Sequence, residues 1–571
     1  MLLQRTRHHH RFQLRLIASV LDCLADTGLR HKLASSHKMV LETTTRATAT
    51  SAQVATNKAS LNPCLGSTED QKRLKSVNYN QTATQVEESY EEAVRALNAL
   101  QSNYSVLQTS INSGNPNGAN RSRVHSPDSV HIQETIKFLN RIGVSPERLD
   151  TLPVIHVSGT KGKGSTCSLV ESILRAHGYR TGFFSSPHLV SVTERIRLNG
   201  VPIDPSKFAS YFWRVYNQLL ANQDHPGDMP AYFNFLTVLA FEVFLKEPID
   251  VAIVEVGIGG KYDCTNAIRG TKTVGITSLG LEHTRLLGDT LEEIAWQKAG
   301  IVKRGSDVFT VRQPGGCNQV IETQCKEMQA HFTVVPDFDS YQWQRKPKLS
   351  TNNEAIKINT SLAIQIALNW MSHTRPELLS CSKNTTAGIP VLSEQVSAGI
   401  ESCFWPGRCH QIQVGNRRLF LDGAHTVESV EICAKWFESS RKKGAPKVLI
   451  FNATGDRDTA KLLRILHRHV KFDKVFFSPN VASSSTTKVD SINFNFPSDE
   501  QLKRCEQNLK TWQGLASGGE ASIHGTLESV FRQIDSQRDL AECDILVTGS
   551  LHLIGAVLTA LKMESHVIFP G

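Results

Sequence analysis

A glycine-rich segment between an apolar strand and a helix constrains this chain more than any other feature of its sequence. Residues 157–166 read VSGTKGKGST, at the end of the apolar stretch Val154–Ser158 and before a helical pattern that ends at Gly178. Glycines let backbone N–H groups turn toward an anion, and a helix N-terminus attracts negative charge. Gly164 separates Lys163 from the following hydroxyls, unlike the common G-x-x-x-x-G-K-[ST] pattern. We therefore predict a phosphate-binding loop; a strand–helix turn that binds nothing is the alternative.

Further short apolar segments alternate with helical patterns, which is typical of βαβ units and a mostly parallel sheet. The predicted strands lie at 154–158, 181–185, 250–256, 273–278, 418–422, 447–453, 474–478 and 544–549. Residues 370–395 are polar and irregular, so we predict a domain boundary near residue 400. The expected fold is α/β, with a phosphate-loop domain over 87–400 and a smaller Rossmann-like domain over 401–571. Segments 482–498 and 513–525 are predicted to be surface insertions.

The first 38 residues carry seven Lys or Arg against two Asp, with apolar residues at helical spacing between them. An arginine-rich, acid-poor start is typical of a mitochondrial presequence, and a disordered basic tail is the alternative. Met39 follows directly, so a start there would give a cytoplasmic form. Residues 39–86 are rich in Thr, Ala and Ser, which predicts a disordered linker. We expect order to begin near residue 87 with an amphipathic helix.

The composition excludes several classes of protein. Hydrophobic residues make up 40% and charged residues 20%, as in ordinary globular chains. We find no run of eighteen apolar residues and predict no membrane-spanning helix. Twelve cysteines without a C-x-x-C pair argue against structural zinc or disulfides. The net charge of +9 is compatible with acidic ligands, although it is weak evidence alone.

Eight segments carry more specific information because of their order along the chain. They are GTKGKGST at 159–166, FFSSPHLVSVTERIRLNG at 183–200, VEVGIGGKYDCTN at 254–266, LGDTLEEIAWQKAGI at 287–301, WPGR at 405–408, LDGAHT at 421–426, FNATGDRD at 451–458 and VTGSLHLIG at 547–555. Together they resemble the eukaryotic folylpolyglutamate synthases, within the wider Mur-type ATP-dependent amide ligases. The resemblance runs from about residue 87 to residue 560.

The resemblance implies a tetrahydrofolate:L-glutamate γ-ligase that forms ADP and retains folates in the cell and mitochondria for one-carbon metabolism. The γ-phosphoryl of ATP would move to the folate γ-carboxylate, and the glutamate amine would attack the acyl phosphate. Implied ligands are Mg²⁺, a monovalent cation such as K⁺, ATP, L-glutamate, and reduced folates with their polyglutamates. It further implies a monomer without nucleic acid or stable membrane insertion. Its location would be the mitochondrial matrix, with inner-membrane association, and the cytoplasm.

The resemblance also assigns roles to individual residues. ATP would be bound by Gly162, Lys163, Gly164, Ser165, Arg408 and Asp422; magnesium by Ser186, Glu255 and His283; and folate by Pro187, His188 and Leu189. Lys163, His283 and Lys298 would take part in catalysis.

Several interpretations stay open at this level. Lys298 matches a lysine that is carbamylated in some relatives, but it could be an ordinary exposed helix lysine. Arg195 and Arg197 could face folate or form an alternating strand face. Glu282 replaces a common aspartate of the family and could orient His283.

Alternative interpretations also exist for two of the site residues and for the function of the whole protein. Glu255 could be a structural acid, and His283 a surface histidine. The rival functions are a Mur-type or dihydrofolate-forming ligase, a phosphate-loop kinase, and a nucleotide-binding regulatory protein without turnover.

Overall fold

Two separate sheets, each built from its own stretch of chain, organise the structure. The computed structural model describes residues 89–101, 130–349, 351, 353–382, 391–453, 457–484, 498–515 and 519–565. The predicted presequence, the Met39 start and the linker to residue 86 lie outside the described residues, as does most of the predicted insertion at 482–498.

The first sheet has eight strands, which are mostly parallel. In chain order they are β1 (Val154–Ser158), β2 (Thr181–Phe184), β3 (Ile196–Leu198), β4 (Val201–Pro202), β5 (Val251–Glu255), β6 (Thr273–Ile276), β7 (Asp307–Thr310) and β8 (His331–Val334). Their order across the sheet is β4-β3-β2-β5-β1-β6-β7-β8. Among the described residues, the β2–β3 and β3–β4 pairs of this sheet are antiparallel and its other pairs are parallel. Strands β1 and β5 are buried at every position because helices cover both faces of the sheet.

The helices of this first domain fall on both sides of the sheet. They are α1 (89–101), α2 (Val130–Arg141), α3 (Pro146–Leu149), α4 (Lys163–Ala176), α5 (Pro205–Ala221), α6 (Tyr232–Lys246), α7 (Thr284–Leu287), α8 (Leu291–Ala299), α9 (Cys317–Glu327), α10 (Glu354–Thr374) and α11 (Glu394–Glu401). A small parallel pair, β9 (Gln342–Trp343) and β10 (Val391–Leu392), lies between the last helices. The predicted helix near residue 87 is confirmed, since Ala93, Val94 and Leu97 face the core.

The second domain is built on a six-stranded sheet. Its strands are β11 (His410–Val414), β12 (Arg417–Asp422), β13 (Lys447–Phe451), β14 (Lys474–Phe477), β15 (Glu520–Ile523) and β16 (Asp544–Thr548). Their order is β11-β12-β16-β13-β14-β15, and only β11–β12 is antiparallel. Its helices are α12 (Val427–Ser440), α13 (Thr459–His469), α14 (Ser498–Gln513), α15 (Leu527–Asp535) and α16 (Leu551–Ala560). The predicted two-domain α/β fold is confirmed.

Two sequence-based predictions of local structure are wrong. The segment 513–525 is not a surface insertion, because β15 within it pairs with β14 as the edge strand of the second sheet. It was missed because Glu-Ala-Ser-Ile gives no apolar run. The irregular stretch predicted from residue 370 begins later, since α10 continues to Thr374 and a 3₁₀ helix spans Pro376–Ser382. Within the described residues, no helix has both the length and the apolar character that crossing a bilayer requires.

The two domains touch through a segment that follows β2. Leu189 and Val190 belong to the first domain in sequence, yet both pack in the apolar core formed by α15, α16 and the second sheet. A Cβ added at Gly555 of α16 would lie 1.9 Å from the carbonyl oxygen of Leu189. Glycine at this position therefore permits direct helix-to-backbone packing between the domains.

We expect Gly555→Ala to lower the free energy of unfolding by about 1–3 kcal/mol, because the methyl group meets backbone that must shift. The gain in helix propensity of about 1 kcal/mol offsets only part of this cost. Thermal unfolding of purified protein measures the effect. Gly525→Ala is the matched control, since a Cβ there meets no atom within 4 Å. Equal stability of the two variants would contradict the close packing.

Candidate active site

The glycine-rich loop after β1 has a backbone that accepts little but glycine. Gly159 has φ +146°, and a Cβ there would lie 1.8 Å from Thr277 Oγ1. Gly162 has φ +88°, and a Cβ there would lie 2.2 Å from Asn359 Oδ1. Gly162 is also the N-cap of α4 and has no side chain to cap it. The first N–H groups of a helix lack partners within that helix, so this end of α4 suits an anion.

Four neighbouring strands bring the other candidate residues to this loop. Strands β2, β5, β1 and β6 are adjacent and parallel. Their carboxyl ends therefore share one edge, which is where parallel sheets bind ligands. Ser186 follows β2, Glu255 ends β5, the phosphate loop follows β1, and the segment leading to His283 follows β6.

Glu255 is a buried carboxylate among basic groups. It is 4% exposed, and its Oε2 accepts a 3.2 Å hydrogen bond from the backbone N–H of Ser186. Burial raises the pKa of Glu255, while the positive charges of Lys163, Arg408 and Arg195 oppose the rise. No salt-bridge partner lies within 4 Å of Glu255 among the described residues, so its charge is compensated at longer range by Lys163, Arg408 and Arg195.

The carboxylate at this edge is compatible with Mg²⁺. Burial lowers the pKa of His283; Glu282 opposes this, and the charges of Lys298, Lys163 and Lys161 add to it. A neutral imidazole is the form that binds metals. No group of three or more His, Cys, Asp and Glu that could hold a metal occurs in the described part of the chain. Glu255 supplies the kind of ligand that Mg²⁺ usually takes, since this ion is held by one or two carboxylates together with waters and phosphate oxygens. The Ser186 hydroxyl and His283 stay predictions as further ligands.

Lys298 is a buried lysine that contacts the backbone of the phosphate loop. Its side chain is 3% exposed, and Nζ donates a 2.8 Å hydrogen bond to the carbonyl oxygen of Gly159. Burial, together with the charge of Lys163, lowers the pKa of Lys298 to about 7. The interpretation as an ordinary exposed helix lysine is therefore wrong. Its burial could not be anticipated, because Trp-Gln-Lys-Ala gives no sign of which helix face is covered.

The second domain presents the carboxyl ends of its own strands to the site. Asp422 ends β12, where its Oδ2 accepts a 2.8 Å hydrogen bond from the N–H of Cys409. Burial raises the pKa of Asp422, and the charge of Arg408 opposes this. Arg408 packs across Gly423, where a Cβ would lie 2.8 Å from its Nη1. The charge of Arg408 also acts on Glu255 in the first domain, so its influence spans both domains.

Glu282 contacts residues at the sheet edges of both domains. Its Oε1 lies 3.0 Å from Lys161 Nζ in the phosphate loop and 3.6 Å from His425 Nε2 in the second domain. Burial acts to raise the pKa of Glu282, but contacts with His425 and Lys161 hold it well below its usual range. The charge of Glu282 acts on His283, which is the one effect here that agrees with the hypothesis that Glu282 orients this histidine. The close contacts of Glu282 are with Lys161 and His425.

The three predicted folate residues divide into two environments. His188 accepts a 2.8 Å hydrogen bond at Nδ1 from Arg195 Nε, and the guanidinium of Arg195 lies over the ring of Tyr232. Pro187 precedes it, next to Ser186. Leu189 instead packs into the core of the second domain.

The arginines of the same motif are not surface residues. Arg195 and Arg197 are 8% and 6% exposed; Arg197 lies in strand β3, and Arg195 ends the 3₁₀ helix that precedes this strand. Arg197 stacks on Trp405 at 5.0 Å, and a Cβ at Gly164 would lie 2.7 Å from that same ring. Sequence reasoning gave Trp405 no role, although its place in the WPGR motif was a usable signal. Asn359 beside Gly162 was also missed, and nothing distinguishes it from other polar residues of α10.

Together, the fold and the candidate site define a two-domain α/β protein with a glycine-rich strand–helix loop, whose candidate residues lie between two sheet edges. The family model described as dihydrofolate synthetase, C-terminal domain, matches residues 408–560. The human mitochondrial folylpolyglutamate synthase is 37% identical, over 83% of this chain and 92% of the human one. That of Cricetulus griseus is 42% identical, over 75% of this chain and 74% of its own.

A solved structure supports the same assignment at the level of fold. The Mycobacterium tuberculosis folylpolyglutamate synthase complexed with ADP has a TM-score of 0.59 at 22% identity, covering 75% of this chain and 94% of that one. The chain belongs to the folylpolyglutamate synthase family. The resemblance stated from the sequence motifs is thereby confirmed.

We expect Glu255→Gln to reduce turnover at least about 100-fold while the protein stays folded. Glutamine keeps an acceptor for the Ser186 N–H but removes the negative charge. Steady-state ADP formation and thermal unfolding measure the two properties.

Glu171→Gln is the matched control for this substitution. Glu171 is equally buried in α4, but it accepts from Thr181 Oγ1 at 2.6 Å, away from the loop. A similar loss of turnover in both variants would mean that Glu255 acts only through the stability of the sheet.

Proposed function

We propose that the protein is an ADP-forming ligase that joins L-glutamate to the γ-carboxylate of tetrahydrofolate and its polyglutamates. Family membership at 37% identity over nearly the whole human protein is the observation that carries this proposal. The site supports it, since a phosphate loop, a buried acid and the edge of a second domain meet in one place.

The chemistry follows from the weakness of a carboxylate as an electrophile. Transfer of the ATP γ-phosphoryl to the folate γ-carboxylate gives an acyl phosphate and ADP. The amine of glutamate attacks that carbonyl carbon, the amide forms and inorganic phosphate leaves. We assign the phosphates to the loop from Gly162 to Ser165, with Lys163 neutralising charge and Arg408 contributed by the second domain. The domains would also exclude water from the acyl phosphate.

Magnesium would be held by Glu255, with Ser186 and His283 as further ligands. The ion would neutralise phosphate oxygens and draw electron density from the transferred phosphoryl group. A monovalent cation such as K⁺ remains a prediction. Asp422 is suited to accept a hydrogen bond from the nucleotide, and Lys298 to hold the loop in shape or to carry a carbamate.

Basic groups near residue 188 suit acidic substrates. Arg195 contacts His188, and its charge, together with that of Arg457, acts on His552. Burial, with these two charges, lowers the pKa of His552 to about 4. A cluster of this kind favours carboxylates, which both the folate tail and glutamate carry. We assign folate binding to Pro187 and His188. Leu189 would hold this segment in place, because its side chain packs in the core of the second domain.

Purified protein should release ADP only when both a reduced folate and L-glutamate are present, together with Mg²⁺. Product mass should rise by one glutamate residue at a time. ADP release without folate would contradict the proposal and favour an ATPase, and phosphate on a stable product would favour a kinase.

A dihydrofolate-forming ligase is the second candidate, because the matching C-terminal family model carries that description. The chemistry is the same and the acceptor differs. In the same assay, dihydropteroate would replace tetrahydrofolate as the carboxylate substrate. Turnover with dihydropteroate and none with tetrahydrofolate would favour this candidate.

We propose a mitochondrial location, supported by the mitochondrial names of the human and hamster relatives, and a second cytoplasmic form starting at Met39. A fluorescent reporter fused to residues 1–60 should enter mitochondria, and one fused to residues 39–60 should not. Cytoplasmic residence of both reporters would contradict the presequence.

A further inference from the structure

One carboxylate oxygen contacts basic side chains from both domains. Glu282 Oε1 lies 3.0 Å from Lys161 Nζ and 3.6 Å from His425 Nε2. All three side chains are partly buried, which limits screening by solvent. Arg457, which is also in the second domain, interacts with the charge of Glu282 at longer range.

Both partners of Glu282 are fixed by their own domains. The backbone N–H of Lys161 donates to the carbonyl oxygen of Ser278 at 3.0 Å, which ties the phosphate loop to the segment that carries Glu282. In the second domain, His425 Nδ1 lies 2.7 Å from the carbonyl oxygen of Gly423, which directs Nε2 toward Glu282. Gly423 is in turn the residue across which Arg408 packs.

These contacts form a continuous path from the phosphate loop to Arg408. A shift of Glu282 would break its contacts with Lys161 and His425 together. The cluster is therefore arranged to set the position of one domain's nucleotide contacts relative to the other's.

We propose that Glu282 is a positioning residue that joins the phosphate loop to the second domain through Lys161 and His425. Its charge aligns Arg408 with the nucleotide when the domains meet. This rests on the proposed nucleotide-dependent ligase activity, but it concerns a residue that need not touch any substrate.

A double-mutant cycle tests the link, with Glu282→Gln, His425→Ala and the double variant. Each single change should lower kcat/KM for ATP about tenfold, because either one breaks the same contact. The double variant should be no less active than the less active single variant. Melting temperatures without ligand should change by no more than about 2 °C, because a partly exposed pair adds little stability. The increase in melting temperature caused by ATP should shrink in all three.

Two further variants separate positioning from other roles. Glu282→Asp keeps the charge and should restore most of the activity and of the ATP-induced stabilisation. Glu428→Gln is the control, since it removes an exposed carboxylate from the first turn of α12, near His425 in sequence, and should behave as the wild type.

The outcomes discriminate clearly. Independent, multiplying losses in the double variant would overturn the proposal, as would a loss in Glu282→Gln without any loss in His425→Ala. If the wild type binds ATP but forms no product with folate, the proposed function fails, while the ATP-induced stabilisation of the variants still tests the link.

Discussion

The site depends on the burial of several positive charges around two carboxylates, Glu255 and Glu282. Burial lowers the pKa of Lys161 and of Lys298, and it raises that of Glu255. Each charge is costly in a poorly solvated place unless another compensates it. Glu255 and Glu282 supply only part of that compensation against Lys161, Lys163, Lys298 and the arginines. A polyphosphate with its metal would complete it, so the electrostatics of the protein favour the ligand that the loop geometry is shaped to hold.

The sequence was most informative where the local structure of a segment depends on that segment's own residues. Every predicted strand is present with ends within two residues, because long apolar runs must lie between covered faces of a sheet. The glycine-rich turn between β1 and α4 was also predictable, since positive φ at Gly162 and the close approach of Gly159 to Thr277 both require glycine. Glu255 stood out as an acid ending an apolar strand.

Residues whose surroundings come from another element were harder to predict. Nothing local distinguishes a lysine beneath Gly159 from one in water, so Lys298 could not be decided. Trp405 meets Gly164 only because the chain leaving α11 passes over the start of α4. The pairing of Glu282 with His425 depends on how two sheets face each other. The edge strand β15 is short and polar, so it forms because β14 offers hydrogen bonds and not because its own pattern demands a strand.

The segment after β2 links the domains to the chemistry in a way that neither domain shows alone. Within four residues it carries Ser186, beside Glu255, and Leu189, in the core of the second domain. Buried Glu194 accepts from the N–H groups of Leu189, Val190 and Ser191 at 2.7–2.9 Å, which makes the segment stiff.

A stiff segment transmits displacement because it cannot absorb it locally. Movement of α16 relative to the first sheet would therefore act on Leu189 and, through it, on the hydroxyl and backbone N–H of Ser186. The same movement would change the distance between Glu282 and His425 on the opposite side of the site. Domain approach would therefore alter the surroundings of Ser186 and of Glu282 together.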